Sequence, residues 1–148
     1  TTLYGATTGR LFVAGAAGER FAVRNSGAEA VVEGLGAHGC EYMTGGRVVV
    51  LGSVGWNLAA GMSGGELFVL DQPGHAERAL NGDLAGVTDI DAAAAERLRE
   101  LVEAHLAATA SPLARRLLSD WDNTLDRFVR IVPLTDIVRA EERLKTSA

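Results

Sequence analysis

Side chains of one kind recur every 19 residues in the first half of this 148-residue chain, and that period constrains its fold more than any other feature. Read in steps of 19, the triplets Leu11-Phe12-Val13, Ala30-Val31-Val32, Val49-Val50-Leu51 and Phe68-Val69-Leu70 fall in one register. So do Gly27, Gly46 and Gly65, and Asn25, Thr44 and Ser63; Gly45 matches Gly64, with Ser26 in the third copy, and Met43 matches Met62. Chance supplies one such column, whereas several together define a coil that closes once per 19 residues. Apolar, β-rich triplets separated by glycine corners predict a mainly β fold, a parallel β-helix whose successive turns stack about 4.8 Å apart. Val13, Val32, Leu51 and Leu70 are then expected to form one aliphatic column through the core, and Asn25, Thr44 and Ser63 a short polar ladder. The glycines are expected at corners where positive φ or close backbone approach leaves no space for Cβ.

The triplets do not alternate apolar with polar, so both faces of these strands are expected to be covered. The cover is either the chain's own second half or another domain. All 18 glycines lie between Gly5 and Gly86, while 20 of the 33 charged residues follow position 86, which places a boundary there. We expect a β-helix over 1–86 and a helical extension over 87–148, packed on or beside it. Gln72 to Val87 reads as turns, with Pro73-Gly74 and Asn81-Gly82-Asp83 as the signals. Asp91 is the expected N-cap of a helix that turns Leu98, Leu101, Val102, His105 and Leu106 to one face. Ser111-Pro112 opens the next helix as cap and first residue, with Leu113, Leu117, Leu118 and Trp121 on its apolar face. A third, short helix is expected near Asp122, then an extended Phe128 to Val132, then a charged, weakly held helix from Thr135.

Stepping back 19 from Asn25-Ser26-Gly27 reaches Ala6-Thr7-Thr8, so the coil opens in mid-turn. A solenoid end needs a cap over its unpaired backbone groups, and none precedes Leu3. We therefore expect Thr1 to be a cut within a longer polypeptide; the rival is a short coil that pairs end to end with a second copy.

Composition narrows the class further. With 47% apolar residues and a net charge of −5, the chain can bury a core and lacks the basic patch of a nucleic-acid binder. One cysteine, Cys40, cannot form an internal disulfide, which fits a reducing compartment and an expected cytoplasmic location. No run approaches a membrane span, and Thr1 to Arg10 lacks the layout of a secretion signal.

Candidate chemistry is sparse. Gly34-Leu35-Gly36-Ala37-His38-Gly39 fits the dinucleotide fingerprint in letters, but Gly45-Gly46 interrupts any following helix and no acidic residue lies at the required distance. Cys40 and His38 stand two apart as a thiolate and base could, without a third orienting group; Cys40 shares a column with Phe21 and Ala59 and reads as a core thiol. His75 and His105 lack metal-ligand spacing. Glu29, Glu33 and Glu41 could serve acid–base work in principle but read as solvated edge positions. Arg20 and Arg24 flank Phe21-Ala22-Val23, suited to salt bridges or an interface. No catalytic, cofactor-binding or metal-binding residue is predicted.

Tyr4 to Thr7, Gly15 to Ala28, Val31 to Gly34, His38 to Gly46 and Gly61-Met62-Ser63-Gly64-Gly65 closely resemble the C-terminal GXGXG domain of the glutamate synthase large (α) subunit. The likeness is specific through Asp71 and extends, less distinctively, into the helical tail. Thr8 stands where that family usually has glycine. A β-helix subunit of formylmethanofuran dehydrogenase shares the repeat with motifs less close. The resemblance implies a right-handed, single-stranded parallel β-helix at the end of a subunit that makes glutamate from glutamine and 2-oxoglutarate. It implies a scaffold for an upstream amidotransferase domain and an upstream synthase domain that carries FMN and an iron–sulfur cluster. None of that enzyme's catalytic or cofactor residues has a counterpart here, so the chain alone is expected to be non-catalytic. The alternative is a self-standing coil that assembles or binds through its open end. The electron donor of the parent enzyme and the surface that meets its other domains are not specified by the sequence.

Overall fold

A computed structural model describes residues 1–70 and 74–146; Gln72 and Pro73 of the predicted turn lie outside the described residues. The elements in order are β1 (Arg10–Phe12), β2 (Ser26–Val32), β3 (Thr44–Val50), β4 (Gly64–Leu70), α1 (His75–Ala79), β5 (Ala85–Thr88), α2 (Ala92–Thr109), α3 (Pro112–Ser119), α4 (Trp121–Leu125), β6 (Phe128–Pro133) and α5 (Leu134–Thr146). They form a stacked coil of about three turns, about 19 residues per turn, followed by the helical segment. β1 to β4 run parallel, each strand beside the one a turn earlier, with Leu11 opposite Ala30 and Val48 opposite Leu67. β6 then lies antiparallel to both β4 and β5, giving the sheet order β1-β2-β3-β4-β6-β5 with β1 at one edge.

Inside the strands the spacing is 19 between β1 and β2 and between β3 and β4, but 18 between β2 and β3. Ser26 pairs with Gly45 as expected, but Glu29 pairs with Arg47 and Val32 with Val50, because β2 holds an extra residue between Ser26 and Glu29. Since neighbours in a strand face opposite ways, a one-residue slip exchanges inside for outside. Val32, Val50 and Val69 therefore point into the coil with Ala30, Val48 and Leu67. Val31, Val49, Leu51, Phe68 and Leu70 point outward against Leu98, Leu101, Val102, Ala114, Leu117 and Trp121 of the helices. The expected single column is thus corrected: Val13 and Val32 belong to the inner core, Leu51 and Leu70 to the outer one. Both faces of the wall are covered, and the chain's own helices cover the outer.

The expected polar ladder does not form either. Asn25 is buried; its Oδ1 accepts from the N–H groups of Gly27 (3.2 Å) and Ala28 (2.9 Å), and its Nδ2 donates to the Ala28 carbonyl at 2.9 Å. The side chain thereby satisfies the backbone where β2 carries its extra residue. Thr44 and Ser63 face solvent instead.

Across the inner core from the strands, Arg20 to Arg24, His38 to Tyr42 and Asn57 to Gly61 stack with φ positive at every second residue: 20, 22 and 24, then 38, 40 and 42, then 57, 59 and 61. The expectation that glycines carry the positive φ holds at Gly46 and Gly65, while here all but Gly61 are other residues. Each non-glycine in this region costs about 1 kcal/mol. Bonds between turns offset that cost: Cys40 N–H to the Phe21 carbonyl at 2.8 Å, Arg24 N–H to Glu41 at 2.8 Å, Ala59 N–H to Gly39 at 2.9 Å and Tyr42 N–H to Ala60 at 2.7 Å.

The helical caps fall where expected. Asp91 Oδ1 accepts from Ala94 N–H at 2.8 Å, and Ser111 Oγ from Ala114 N–H at 3.1 Å ahead of Pro112. Trp121 opens α4, the short helix expected near Asp122, instead of ending α3. The stretch read as turns contains α1 and β5, elements of five and four residues that are too short to show a period and are held by tertiary pairing.

Gly46 has φ +85°, and a Cβ there would collide with the Ala28 carbonyl oxygen and lie 2.8 Å from Asn25 Nδ2. Gly46→Val is expected to destabilise the chain by about 3 kcal/mol or more in urea unfolding. Gly82→Ala, where a Cβ meets nothing within 4 Å, should stay within about 0.5 kcal/mol.

Candidate functional site

The strand register brings Arg10 beside Glu29, Glu29 beside Arg47 and Arg47 beside Glu66. A column just past the glycine corners therefore alternates in charge from turn to turn. Arg10 Nε donates to Glu29 at 3.0 Å, Arg47 Nη1 to Glu29 at 2.9 Å and Arg47 Nε to Glu66 at 2.6 Å. At the β1 end Glu100 of α2 closes the row with a bidentate grip on Arg10 at 2.9 and 3.1 Å. At the β4 end Glu66 also accepts from Arg97 Nε and Nη2, at 2.8 and 3.1 Å, and from Arg130 Nε at 3.0 Å. Burial pushes the Glu66 carboxyl up, but the bonds from Arg97 and Arg47, the charge of Arg97 and the bond from Arg130 outweigh it and hold it below the usual range.

Glu33 stands between two residues of the helical half. Its Oε2 lies 2.8 Å from His105 Nε2 and accepts from Ser111 Oγ at 2.8 Å. Serine, histidine and carboxylate meet here in the wrong order for nucleophilic catalysis, because the carboxylate sits in the middle and Ser111 Oγ also caps α3. His105 is fully buried, 6.1 Å from the Phe12 ring, and its Nδ1 has no partner.

On the positive-φ corner, His38 Nδ1 pairs with Glu41 and its ring meets Trp56 edge-on at 4.7 Å. Cys40 is fully buried, as its column predicted, and burial pushes its thiol up to about 12. No helix follows Gly34 to Gly39, which runs into this corner. Glu29, Glu33 and Glu41, expected as solvated edge positions, are each engaged in an ion pair. The reasons differ: stacking sets Arg10 and Arg47 one turn either side of Glu29, Glu41 meets His38 three residues earlier in its own turn, and Glu33 meets His105 from α2. His75 Nε2 lies 3.2 Å from the Val54 carbonyl. Arg20 and Arg24 make no ion pair among the described residues; Arg24 lies 5.9 Å from the Tyr4 ring centre.

α5 buries none of its residues and arches over the glycine corners. An open cleft of about 1340 Å³ lies between, walled by Gly46, Gly65, Arg47, Arg97, Ile137 and Arg143 among others. Among the described residues no cluster of three or more histidine, cysteine or acidic side chains is placed to hold a metal ion. A single buried cysteine does not fit an iron–sulfur cluster, which takes several thiolates. Arg10, Arg47, Glu66, Arg97, Glu100 and Arg130 were not singled out from the sequence. The alternation arginine, glutamate, arginine, glutamate at 10, 29, 47 and 66 was the available signal.

The geometry defines a short β-solenoid with glycine corners, an ionic column and a helical flank. Residues 1–134 match the GXGXG motif family, and the chain belongs to that family. It is 54% identical over 132 residues to a glutamate synthase [NADH] of Schizosaccharomyces pombe, covering 88% of this chain and 6% of that one. It is 51% identical over 134 residues to a chloroplastic ferredoxin-dependent glutamate synthase of Spinacia oleracea, covering 90% and 8%. Against the glutamate synthase [NADPH] large chain of Bacillus subtilis it is 48% identical over 132 residues, covering 88% and 9%. The chain thus spans less than a tenth of the length of these relatives. Among the described residues no helix is long and apolar enough to cross a membrane.

Glu66→Gln leaves three guanidinium groups facing one another. It should lower stability by about 3 kcal/mol, the low end for breaking a buried pair because the arginines are partly solvated. Since folded Glu66 stays ionised below the unfolded value of about 4.3, its contribution is complete above that pH and is lost as pH falls through the folded value. Urea midpoints measured from pH 6 down to about 3 should drop steeply in the parent chain and less in Glu66→Gln. Cys40 should resist maleimide until the chain unfolds. Its raised value also means stability declines above about pH 8.5, where the unfolded thiol ionises and the folded one does not.

Proposed function

We propose that this chain is the C-terminal bracing domain of a glutamate synthase large subunit, which converts glutamine and 2-oxoglutarate to glutamate. In this reading it holds the amidotransferase and synthase domains of the same polypeptide and contributes no reacting group. The observation that carries it is near-50% identity over nine-tenths of the chain to three synthases with different donors in their names. The donor therefore does not select the sequence of this domain, and FMN and the iron–sulfur cluster belong to the rest of the polypeptide. The side chains best suited to chemistry are also spent on structure: Glu66 on three arginines, Glu33 on two helices, Cys40 on the core. A lone buried thiol is compatible with a reducing interior such as the cytoplasm.

In the complete synthase, Cys40→Ala and His75→Gln should leave glutamate formation within about twofold of the parent, whereas losing a general acid or base costs about a hundredfold or more. Gly46→Val should instead shorten the half-life of both the glutaminase and synthase activities together. A hundredfold loss in Cys40→Ala with the fold intact would overturn the bracing role.

A second reading, end-to-end assembly of a free-standing coil, is favoured by β1, a sheet edge beneath which Leu3, Leu11 and Val13 are only partly buried.

A further inference from the structure

Three faces of the solenoid differ in what covers them. The strand wall lies under α2, α3 and α4, and α5 faces the glycine corners across the open cleft. The positive-φ corner lies under nothing among the described residues. Yet this corner carries the three aromatic side chains that solvent reaches most: Tyr4 (58% exposed), Tyr42 (55%) and Trp56 (64%). The other five aromatic residues are buried or half-buried.

Stacking arranges these groups in two outward columns. In one, the Arg24 guanidinium lies over the Tyr4 ring, and the Tyr42 ring occupies the space a side chain at Gly61 would need. In the other, Arg20, His38 and Asn57 follow in consecutive turns, linked by Arg20 N–H to the Ala37 carbonyl at 2.9 Å and His38 N–H to the Trp56 carbonyl at 3.0 Å, with the Trp56 ring edge-on to His38 at 4.7 Å. The positive-φ backbone beneath is bonded turn to turn, so the columns stand on a rigid base. Tyrosine, tryptophan and arginine are the residue types on which binding energy concentrates, and few rotatable bonds are frozen when the rings are covered. The carboxylates of the corner are Glu41, paired with His38, and Glu19, which makes no ion pair among the described residues. Arg20 and Arg24 likewise have no carboxylate partner among the described residues, although the chain's net charge is −5.

We propose that this aromatic and arginine ridge is the docking surface of the domain. Its partner is a protein surface that offers carboxylates to Arg20 and Arg24 and flat apolar area to Tyr42 and Trp56. The inference rests on the bracing role and assigns it a face: the occupant is the catalytic portion of the same polypeptide, more than nine-tenths of the relatives' length.

Hydroxyl-radical footprinting of the complete synthase, read by mass spectrometry, tests this with buried Trp121 as the internal reference. Trp56 should be oxidised no more than about twice as fast as Trp121, with Tyr4 and Tyr42 equally protected, and Arg20→Glu with Arg24→Glu should raise oxidation of Trp56 and Tyr42 by about tenfold. Protection unchanged by those two reversals would overturn the carboxylate-bearing partner. Trp56 oxidised as a free indole, with α3 or the β1 edge protected instead, sinks this surface and leaves the bracing role standing. No face protected sinks both. Protection that vanishes on dilution puts a second copy on the ridge and overturns the assignment to the same chain.

Discussion

Hydrogen bonds from each turn of the backbone to the next are the constraint to which the rest of the molecule is subordinate. They fix what may lie above and below every side chain, so each position is chosen by its neighbours one turn away. Apolar residues satisfy this by repetition, as Val32, Val50 and Val69 do inside the coil. Charged residues cannot, because like charges about 4.8 Å apart repel. The column of Arg10, Glu29, Arg47 and Glu66 answers with alternation. The same bonds tolerate a backbone that would otherwise be rare: eight non-glycine residues between Arg20 and Ala59 hold positive φ, each at a cost one inter-turn bond is able to offset.

The wall between the two cores shows how narrow the tolerance is. Its inner residues fill the coil and its outer residues seat the helices, so any slip in pairing exchanges one set for the other. β2 takes its extra residue at Gly27 and Ala28, ahead of the apolar run, and Asn25 bonds the backbone there. The irregularity is confined to the corner, and the wall downstream stays in register with both cores. Because the helices that cover this wall belong to the same chain, the wall is closed to other partners.

The repeat, the two-sided cover, the helix caps at Asp91 and Ser111 and the core position of Cys40 were legible because each depends on residues close in sequence or one period apart. The inner and outer assignment of Leu51 and Leu70 was not, since a one-residue bulge leaves Ser26 opposite Gly45 while shifting the strand that follows. α1 and β5 were illegible for another reason: four or five residues carry no period, and β5 exists only through pairing with β6. The roles of Glu33 and Glu66 were hidden because their partners, His105, Ser111, Arg97 and Arg130, lie 31 to 78 residues away on elements whose placement no local pattern encodes.

The helical half meets the coil differently at β4 and at β1. At β4 the exposed strand edge is taken by β6, and the last carboxylate of the column, Glu66, receives Arg130 from that strand and Arg97 from α2. Backbone and charge are closed there by the same segment. At β1 the charge is closed by Glu100, but no strand pairs with the outer edge of Arg10–Phe12 among the described residues. The helical half is therefore both lid and clasp: it closes the solenoid at β4, covers its wall and bonds the ionic column at Glu66 and at Arg10. A change in the helices that displaced Arg97 or Glu100 would act on the solenoid itself, not merely on its surface. The ion pairs therefore tie together two halves that composition divides.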